Sequence, residues 1–352
     1  MPDTYVGKKI TRLEDDVLLA GEATFIDDIQ LDGMLHLAVV RSQVAHARIA
    51  SINVSAARDL PGVAAVYTID DLLPVLSQER IPENFPTPGD RVDVGPYVLA
   101  RDEVCYVGEP IVAVIAENRY VAEDAAQLVI VDYDPLPVLA DPRDAAKPDA
   151  PLVNSRQAEP GNIVHDLDFG HGDADKAFAN AAHVVRSELY QHRGVSNSME
   201  CRGSIARYDP LRKTFTMWSS CQAPHSHRSV LVYLLGLDEA QIRVIVPSIG
   251  GGFGPKLLFY PEDGIISAAA LLLGRPIKWI EDRREHLITT TQERDQFWDV
   301  EMALDAEGKI LGLRGQMYHD QGAYTARGFN IPFSAATTIL GPYVIPNYAL
   351  NV

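Results

Sequence analysis

From Leu35 onward, short apolar runs alternate with helix-like stretches, the pattern of a mixed α/β protein. Leu35–Val40 and Val63–Thr68 read as strands, and Thr68-Ile69-Asp70-Asp71 is able to start a short helix. Pro110–Ala116 is an unbroken apolar run that reads as a buried strand; a helix over Arg119–Gln127 and a strand over Leu128–Tyr133 follow it. This strand–helix–strand unit closes a first domain over residues 17–135, behind a lead-in at 1–16 that continues polar and turn-rich to about residue 30. Ser77 to Asp93, rich in Pro, Glu and Asp, reads as a solvated loop.

Pro135, Pro137, Pro142 and Lys147-Pro148-Asp149-Ala150-Pro151 mark a linker, which Gly161, Gly170 and Gly172 extend, over residues 136–172. A second domain, 173–352, opens with a helix at Ala174–Ala181. Strands are expected at Val184–Tyr190, Gly203–Tyr208 and Phe215–Ser220, then a helix over Ser226–Leu235 stopped by Gly236. Ile242–Ile249 reads as a buried strand that runs directly into Gly250-Gly251-Gly252-Phe253-Gly254-Pro255-Lys256. The next helix has Pro261 at its start, Glu262 and Asp263 in its first turn and Gly274 past its end. A strand at Pro276–Ile280, a helix over Asp282–Leu287 and strands at Trp298–Leu304 and Ile310–Tyr318 follow.

At 352 residues the chain has room for about two or three domains. A net charge of −17 argues against nucleic acid and anionic membrane as partners. The most apolar window, Ile265–Leu273, is too short to span a bilayer. Met1-Pro2-Asp3-Thr4 does not begin a secretory leader. Cys105, Cys201 and Cys221 form no Cys-x-x-Cys pair, so they cannot by themselves build a zinc site or an iron–sulfur cluster, and a reducing cytoplasm is expected.

The glycine segment is the leading candidate for chemistry. Four glycines in five positions let backbone N–H groups approach a ligand closely. It is neither a P-loop, since Leu257 follows Lys256, nor a dinucleotide fingerprint, since Gly or Ala is missing at 255 and at 257. Taken alone it also fits a tight strand-to-helix connection. Gln222, after a strand and before a helix, sits where α/β proteins gather ligands and could donate an amide hydrogen to an oxo group; capping the next helix is the alternative. His225 and His227 read as surface residues rather than metal ligands, Glu281–Glu285 as a solvated charged helix start, and Glu200 as a buried acid with a structural hydrogen bond. Cys221 is a weak candidate nucleophile without an obvious base.

In order along the chain, Arg12-Leu13-Glu14-Asp15, Leu35–Ser42 with Ala45-His46-Ala47-Arg48-Ile49, Tyr106-Val107-Gly108-Glu109-Pro110 and Ala122–Ala126 resemble the opening and the "a/b hammerhead" domain of a known subunit. It is the molybdopterin-binding large subunit of the xanthine dehydrogenase / aldehyde oxidase / carbon monoxide dehydrogenase family. Met199-Glu200, Gln222-Ala223-Pro224-His225, Gly250–Lys256 and Glu281-Asp282-Arg283 resemble the first part of its molybdopterin-binding domain.

The resemblance implies a mixed α+β fold and a ligand for the glycine loop. Gly251, Gly252, Phe253 and Gly254 would lie beside molybdenum and its pterin, with Gln222 facing an oxo group. The implied reaction hydroxylates an electrophilic carbon, in an N-heterocycle or an aldehyde, with water as oxygen source. Electrons would pass to 2Fe-2S clusters and FAD on partner subunits. The pterin is expected to be molybdopterin cytosine dinucleotide. The family's subunit continues for about as long again, so the catalytic glutamate base is expected outside this chain, which is either truncated or one piece of a split large subunit. Leu257 stands where purine-oxidising members carry a substrate-binding glutamate, which argues for a less polar substrate pocket. The alternative function is a non-catalytic structural or assembly partner retaining the fold.

Overall fold

The computed structural model describes residues 5–82, 95–156, 161–325 and 329–352, so residues 83–93 of the expected solvated loop lie outside the described residues. The mixed α/β expectation holds. Its centre is a seven-stranded sheet ordered Ile242–Ile245, Thr214–Ser219, Gly203–Asp209, Ile277–Ile280, Leu35–Arg41, Pro110–Ala116 and Val63–Tyr67. Strands from the first and second halves of the chain thus share one sheet. The seam is parallel, with Leu35 opposite Ile277 and His36 opposite Lys278. Pro110–Ala116 is buried at every position, as its continuous apolar run requires of a strand covered on both faces.

One helix lies at the heart of the packing. Pro261–Leu273 is buried at all positions from Pro261 to Ala270, and its small residues allow close approach to the sheet. Gly274 ends it in a left-handed conformation (φ 62°), as Gly236 (φ 64°) ends Pro224–Leu235. Ile265, Ile266 and Ala269 share one core with Leu35, Val98 and Ile115 from the first half and with Phe215, Met217 and Trp279 from the second.

A second sheet has the order Asp168–His171, Tyr348–Asn351, Ile310–His319, Gln296–Leu304, His183–Gln191. Asp168–His171 falls in the stretch expected to be a linker; it pairs antiparallel with Tyr348–Asn351, a partner too distant in sequence to be read locally. A three-stranded sheet joins Glu103–Val104, Ala47–Asn53 and Ile130–Pro135. Two further expectations need correction. The strand after Gln241 ends at Ile245 rather than Ile249, because Pro247 has no N–H to offer a ladder and Ser248 donates instead to the Thr24 carbonyl at 3.0 Å. The polar lead-in is also not wholly free of the core: Ile26 is buried against Ile205 and Met34, and the buried Lys278 ammonium donates to the carbonyls of Asp27 (2.6 Å) and Ile29 (3.2 Å).

The segment expected to be a solvated charged helix start is solvated at Asp282, Arg283 and Arg284, but Glu281 is buried and Glu285 half-buried. Glu281 is 2% exposed and receives the Arg202 backbone N–H (3.0 Å), the Arg202 Nε (2.9 Å) and a contact from His286 Nδ1 at 2.8 Å. Arg202 also reaches Glu262, which forms an ion pair at 2.7 Å with Arg41 of the first half; Arg41 in turn contacts Glu285 at 3.0 Å. Asp282 opens the helix as expected, accepting from Glu285 N at 2.7 Å in a capping box. Burial pushes the Glu281 carboxyl up, but the Arg202 guanidinium and the hydrogen bonds from His286 and Arg202 outweigh it and hold the group well below the usual carboxylate range.

Breaking this cluster from one side leaves uncompensated buried charge. Arg202→Met is expected to lower unfolding stability by about 3–5 kcal/mol at neutral pH, read from urea denaturation midpoints. A carboxyl with a depressed folded pKa contributes stability that is complete above its unfolded value, about 4.3, and is lost as pH falls below it. The wild-type protein should therefore lose stability as pH drops below about 4, with a slope that Arg202→Met reduces.

Candidate functional site

The glycine loop leaves the edge of the central sheet and ends in a single turn of 3-10 helix, Pro255–Leu257. Its two ends are tied to one carboxylate. Glu200 Oε2 accepts from Gly250 N at 2.8 Å and from Lys256 Nζ at 2.7 Å, and Glu200 N donates back to the Gly250 carbonyl at 3.1 Å. The Lys256 side chain is 1% exposed, and burial lowers its pKa against the opposing pull of Glu200. The irregular segment carrying Glu200 is fixed in turn: Arg283 Nη2 donates to the carbonyls of Ser198 (2.6 Å) and Met199 (3.0 Å). Below the loop, Tyr260 OH donates to the Pro255 carbonyl at 2.9 Å, and the Arg202 guanidinium lies 3.7 Å from the centre of the Tyr260 ring.

Gln222 is where the sequence places it, between Thr214–Ser219 and the helix Pro224–Leu235. Its side chain does not cap that helix, whose N-cap is Ala223 without a side-chain bond. Gln222 Oε1 instead accepts from Gly254 N at 2.9 Å, while Gln222 N donates to the Lys256 carbonyl at 2.8 Å. Because Oε1 is occupied by a donor, the amide orientation leaves the Nε2 hydrogens free to donate outward. A Cβ at Gly252 would lie 2.5 Å from Gln222 Cδ, so the backbone can pass Gln222 this closely only as glycine.

The tip of the loop is strained and open. Phe253 adopts a left-handed φ of 53°, which costs a non-glycine residue about 1–2 kcal/mol, and the residue is 70% exposed. Gly254 has φ 102°, and a Cβ placed on it would meet nothing within 4 Å. Among the described residues, no acceptor meets the N–H groups of Gly251, Gly252 or Phe253. Gln222 Nε2 likewise has no acceptor among the described residues, so the loop and Gln222 together hold several unpartnered neutral donors. The loop borders neither of the two larger cavities, of about 760 and 400 Å³. Leu257 is half-buried in the turn that follows.

The remaining candidates resolve on burial. His225 is exposed, but His227 is 1% exposed, its ring edge-on to Phe259 and its Nδ1 3.1 Å from the Ala223 carbonyl. Burial depresses its pKa, so it is a neutral packing residue rather than a surface one. The Cys221 thiol is buried and pushed up to about 11 by desolvation, which removes it as a nucleophile at neutral pH. Among the described residues no helix is long and apolar enough to cross a membrane.

These features have counterparts in known proteins. Residues 20–137 match the aldehyde oxidase and xanthine dehydrogenase a/b hammerhead domain, and residues 156–352 match the molybdopterin cofactor-binding domain. The chain is 40% identical to the gamma subunit of the 6-hydroxypseudooxynicotine dehydrogenase complex of Paenarthrobacter nicotinovorans, covering 98% of this chain and 43% of that one. It is 38% identical to the carbon monoxide dehydrogenase large chain of Hydrogenophaga pseudoflava, covering 96% and 43%. Quinoline 2-oxidoreductase from Pseudomonas putida 86 superimposes with a TM-score of 0.91 at 33% identity, over 98% of this chain and 44% of that one. The chain therefore spans less than half the length of these relatives. With both domain models matched in order, the chain belongs to the xanthine dehydrogenase / aldehyde oxidase / carbon monoxide dehydrogenase family of molybdopterin-binding large subunits.

Proposed function

We propose that this chain forms one wall of the active site of a molybdenum hydroxylase or dehydrogenase. The observation that carries the proposal is the donor face made by Gln222 Nε2 and the N–H groups of Gly251, Gly252 and Phe253, which no described residue accepts from. An anionic oxo-metal pterin fits such a face: neutral, oriented donors stabilise it without a fixed countercharge. The open space beside Gly254 and the exposed Phe253 ring fit a bulky ligand rather than a tight turn packed on its own sheet. When bound, molybdenum in its pterin supplies two-electron oxidation of a substrate carbon with water as oxygen source. Gln222 would orient the group through its amide, and Gly251–Gly254 would hold it through backbone N–H groups. Glu200 and Lys256 keep the loop in place from beneath.

The base that activates the nucleophile is proposed to come from polypeptide beyond this stretch. The acid nearest the loop, Glu200, is committed to Lys256 and Gly250 on the inner side. The half-buried Leu257 favours an N-heterocycle or aldehyde over a purine. Molybdopterin cytosine dinucleotide as the cofactor form, and 2Fe-2S and FAD subunits as electron acceptors, complete the proposal.

Two measurements test it. Molybdenum and pterin dinucleotide should be found by elemental and nucleotide analysis of the intact assembly, and Gln222→Ala should lower turnover by about 10–100-fold. Absence of both metal and pterin would refute the reading, and unchanged turnover in Gln222→Ala and Gly254→Val would favour a structural partner. For the loop anchor, Glu200→Leu strands a buried ammonium and should cost about 3–5 kcal/mol. Glu200→Leu with Lys256→Met should recover most of that thermal stability, because an apolar pair replaces the ion pair. It should not recover molybdenum content, because Gly250 N has lost its acceptor. Full recovery of both would show that the carboxylate does not position the loop.

A further inference from the structure

Gln222 stands immediately before Ala223, the residue at which the chain turns from Thr214–Ser219 into the helix Pro224–Leu235. Alanine has no side chain to cap a helix, and its backbone here (φ −136°, ψ 71°) is neither helical nor extended. The hold on this turn comes instead from His227. Its backbone N and its ring Nδ1 both lie 3.1 Å from the Ala223 carbonyl. A carbonyl only accepts, so Nδ1 carries the ring hydrogen and donates it. Phe259 packs edge-on against the same ring. At 1% exposure an imidazole is costly to bury, and packing alone would be served better by a phenyl ring.

On its far side the imidazole faces a second path to the glycine loop. His227 Nε2 is 3.9 Å from Asp263 Oδ2, and the same oxygen accepts from Tyr260 N at 3.1 Å. Ser204 Oγ donates to Asp263 Oδ1 at 2.6 Å and keeps the carboxyl from turning. Tyr260 OH donates to the Pro255 carbonyl at 2.9 Å, and Pro255 follows Gly254, whose N–H meets Gln222 Oε1 at 2.9 Å. The contacts close a circuit from Gln222 through the loop and Asp263 back to Gln222, with His227 joining its two halves. Pro255, Tyr260, Asp263 and His227 are all buried, so further polypeptide would lie over this circuit rather than within it. We propose that His227 is a positioning residue: by holding the Ala223 carbonyl it sets the direction in which the Gln222 amide meets the cofactor. This role rests on the reading of Gln222 as a donor to that cofactor.

Three substitutions in the intact assembly separate positioning from packing. His227→Asn puts an amide N–H near the place of Nδ1, His227→Gln puts one near the place of Nε2, and His227→Phe keeps only a ring. Hydrogen exchange of the Gly254 amide reports whether it still meets Gln222, and it needs no bound metal. His227→Phe and His227→Gln should speed that exchange about tenfold and lower turnover about 10–100-fold. His227→Asn should stay within about threefold of wild type in both. Thermal midpoints should run the other way, with the Phe variant above the Asn variant, because Phe refills the buried volume. Turnover that follows the thermal midpoint, with Phe above Asn, would mark a packing residue and overturn the proposal. Unchanged Gly254 exchange in the Phe and Gln variants, or equal loss in all three, would overturn it as well. Exchange in the expected order with turnover equal in all variants would count against Gln222 as a donor to the cofactor, not against its positioning by His227.

Discussion

The pairing of Arg202 with Glu281 is the constraint on which the rest of the molecule depends. Two charges at 4% and 2% exposure can be held in the core only by partners that offset their desolvation. Supplying those partners ties together segments far apart in the chain. Glu281 takes the backbone and side chain of Arg202 together with His286; the guanidinium spreads over Tyr260 and toward Glu262, and Glu262 brings in Arg41 from the first half. The shared sheet puts the two halves in register, and this cluster locks the register. The same residues reach the candidate site, because Tyr260 holds the Pro255 carbonyl and Arg202 lies two residues beyond Glu200. Loop geometry and core electrostatics are therefore one problem in this protein.

Much of the fold was legible because local chemistry and tertiary structure agree. Pro110–Ala116 lies where its apolar run predicts, and the Pro261 start and Gly274 stop bound a helix as read. The site was legible through the adjacency of strand, glycines and Gln222, although sequence left two roles open for Gln222. Distance decided between them: its oxygen meets Gly254 rather than the next helix.

What was illegible is pairing across long sequence separation. Glu281–Glu285 has the composition of a solvated helix start, and nothing local announces that Arg202 will bury Glu281 or that Arg41 will reach Glu285. His227 looks like a surface residue until Phe259 and Asp263 close around it. Asp168–His171 becomes a strand only through residues 348–351. Glu200 makes the structural hydrogen bond expected of it but is half-buried, and its two partners lie 50 and 56 positions away, at opposite ends of the same loop.

Under the proposed reading, that arrangement explains why a site for an anionic group need not contain a free cation. Lys256 lies within the loop, yet its ammonium turns inward and is neutralised by Glu200. The outward face is left to amide hydrogens, whose partial charges are fixed in direction by the backbone. An exposed lysine would attract an oxyanion more strongly, but it would move, hydrate and stabilise every charge state of the group nearly alike. Fixed neutral donors favour instead the state whose oxygens match their directions, which is the selectivity a redox centre requires. In a chain of net charge −17 the distinction is sharper, because the general field repels an anion and the loop alone must supply the local attraction. Phe253 holds its left-handed conformation within this loop, and the Glu200 anchor ties both ends of the loop in place.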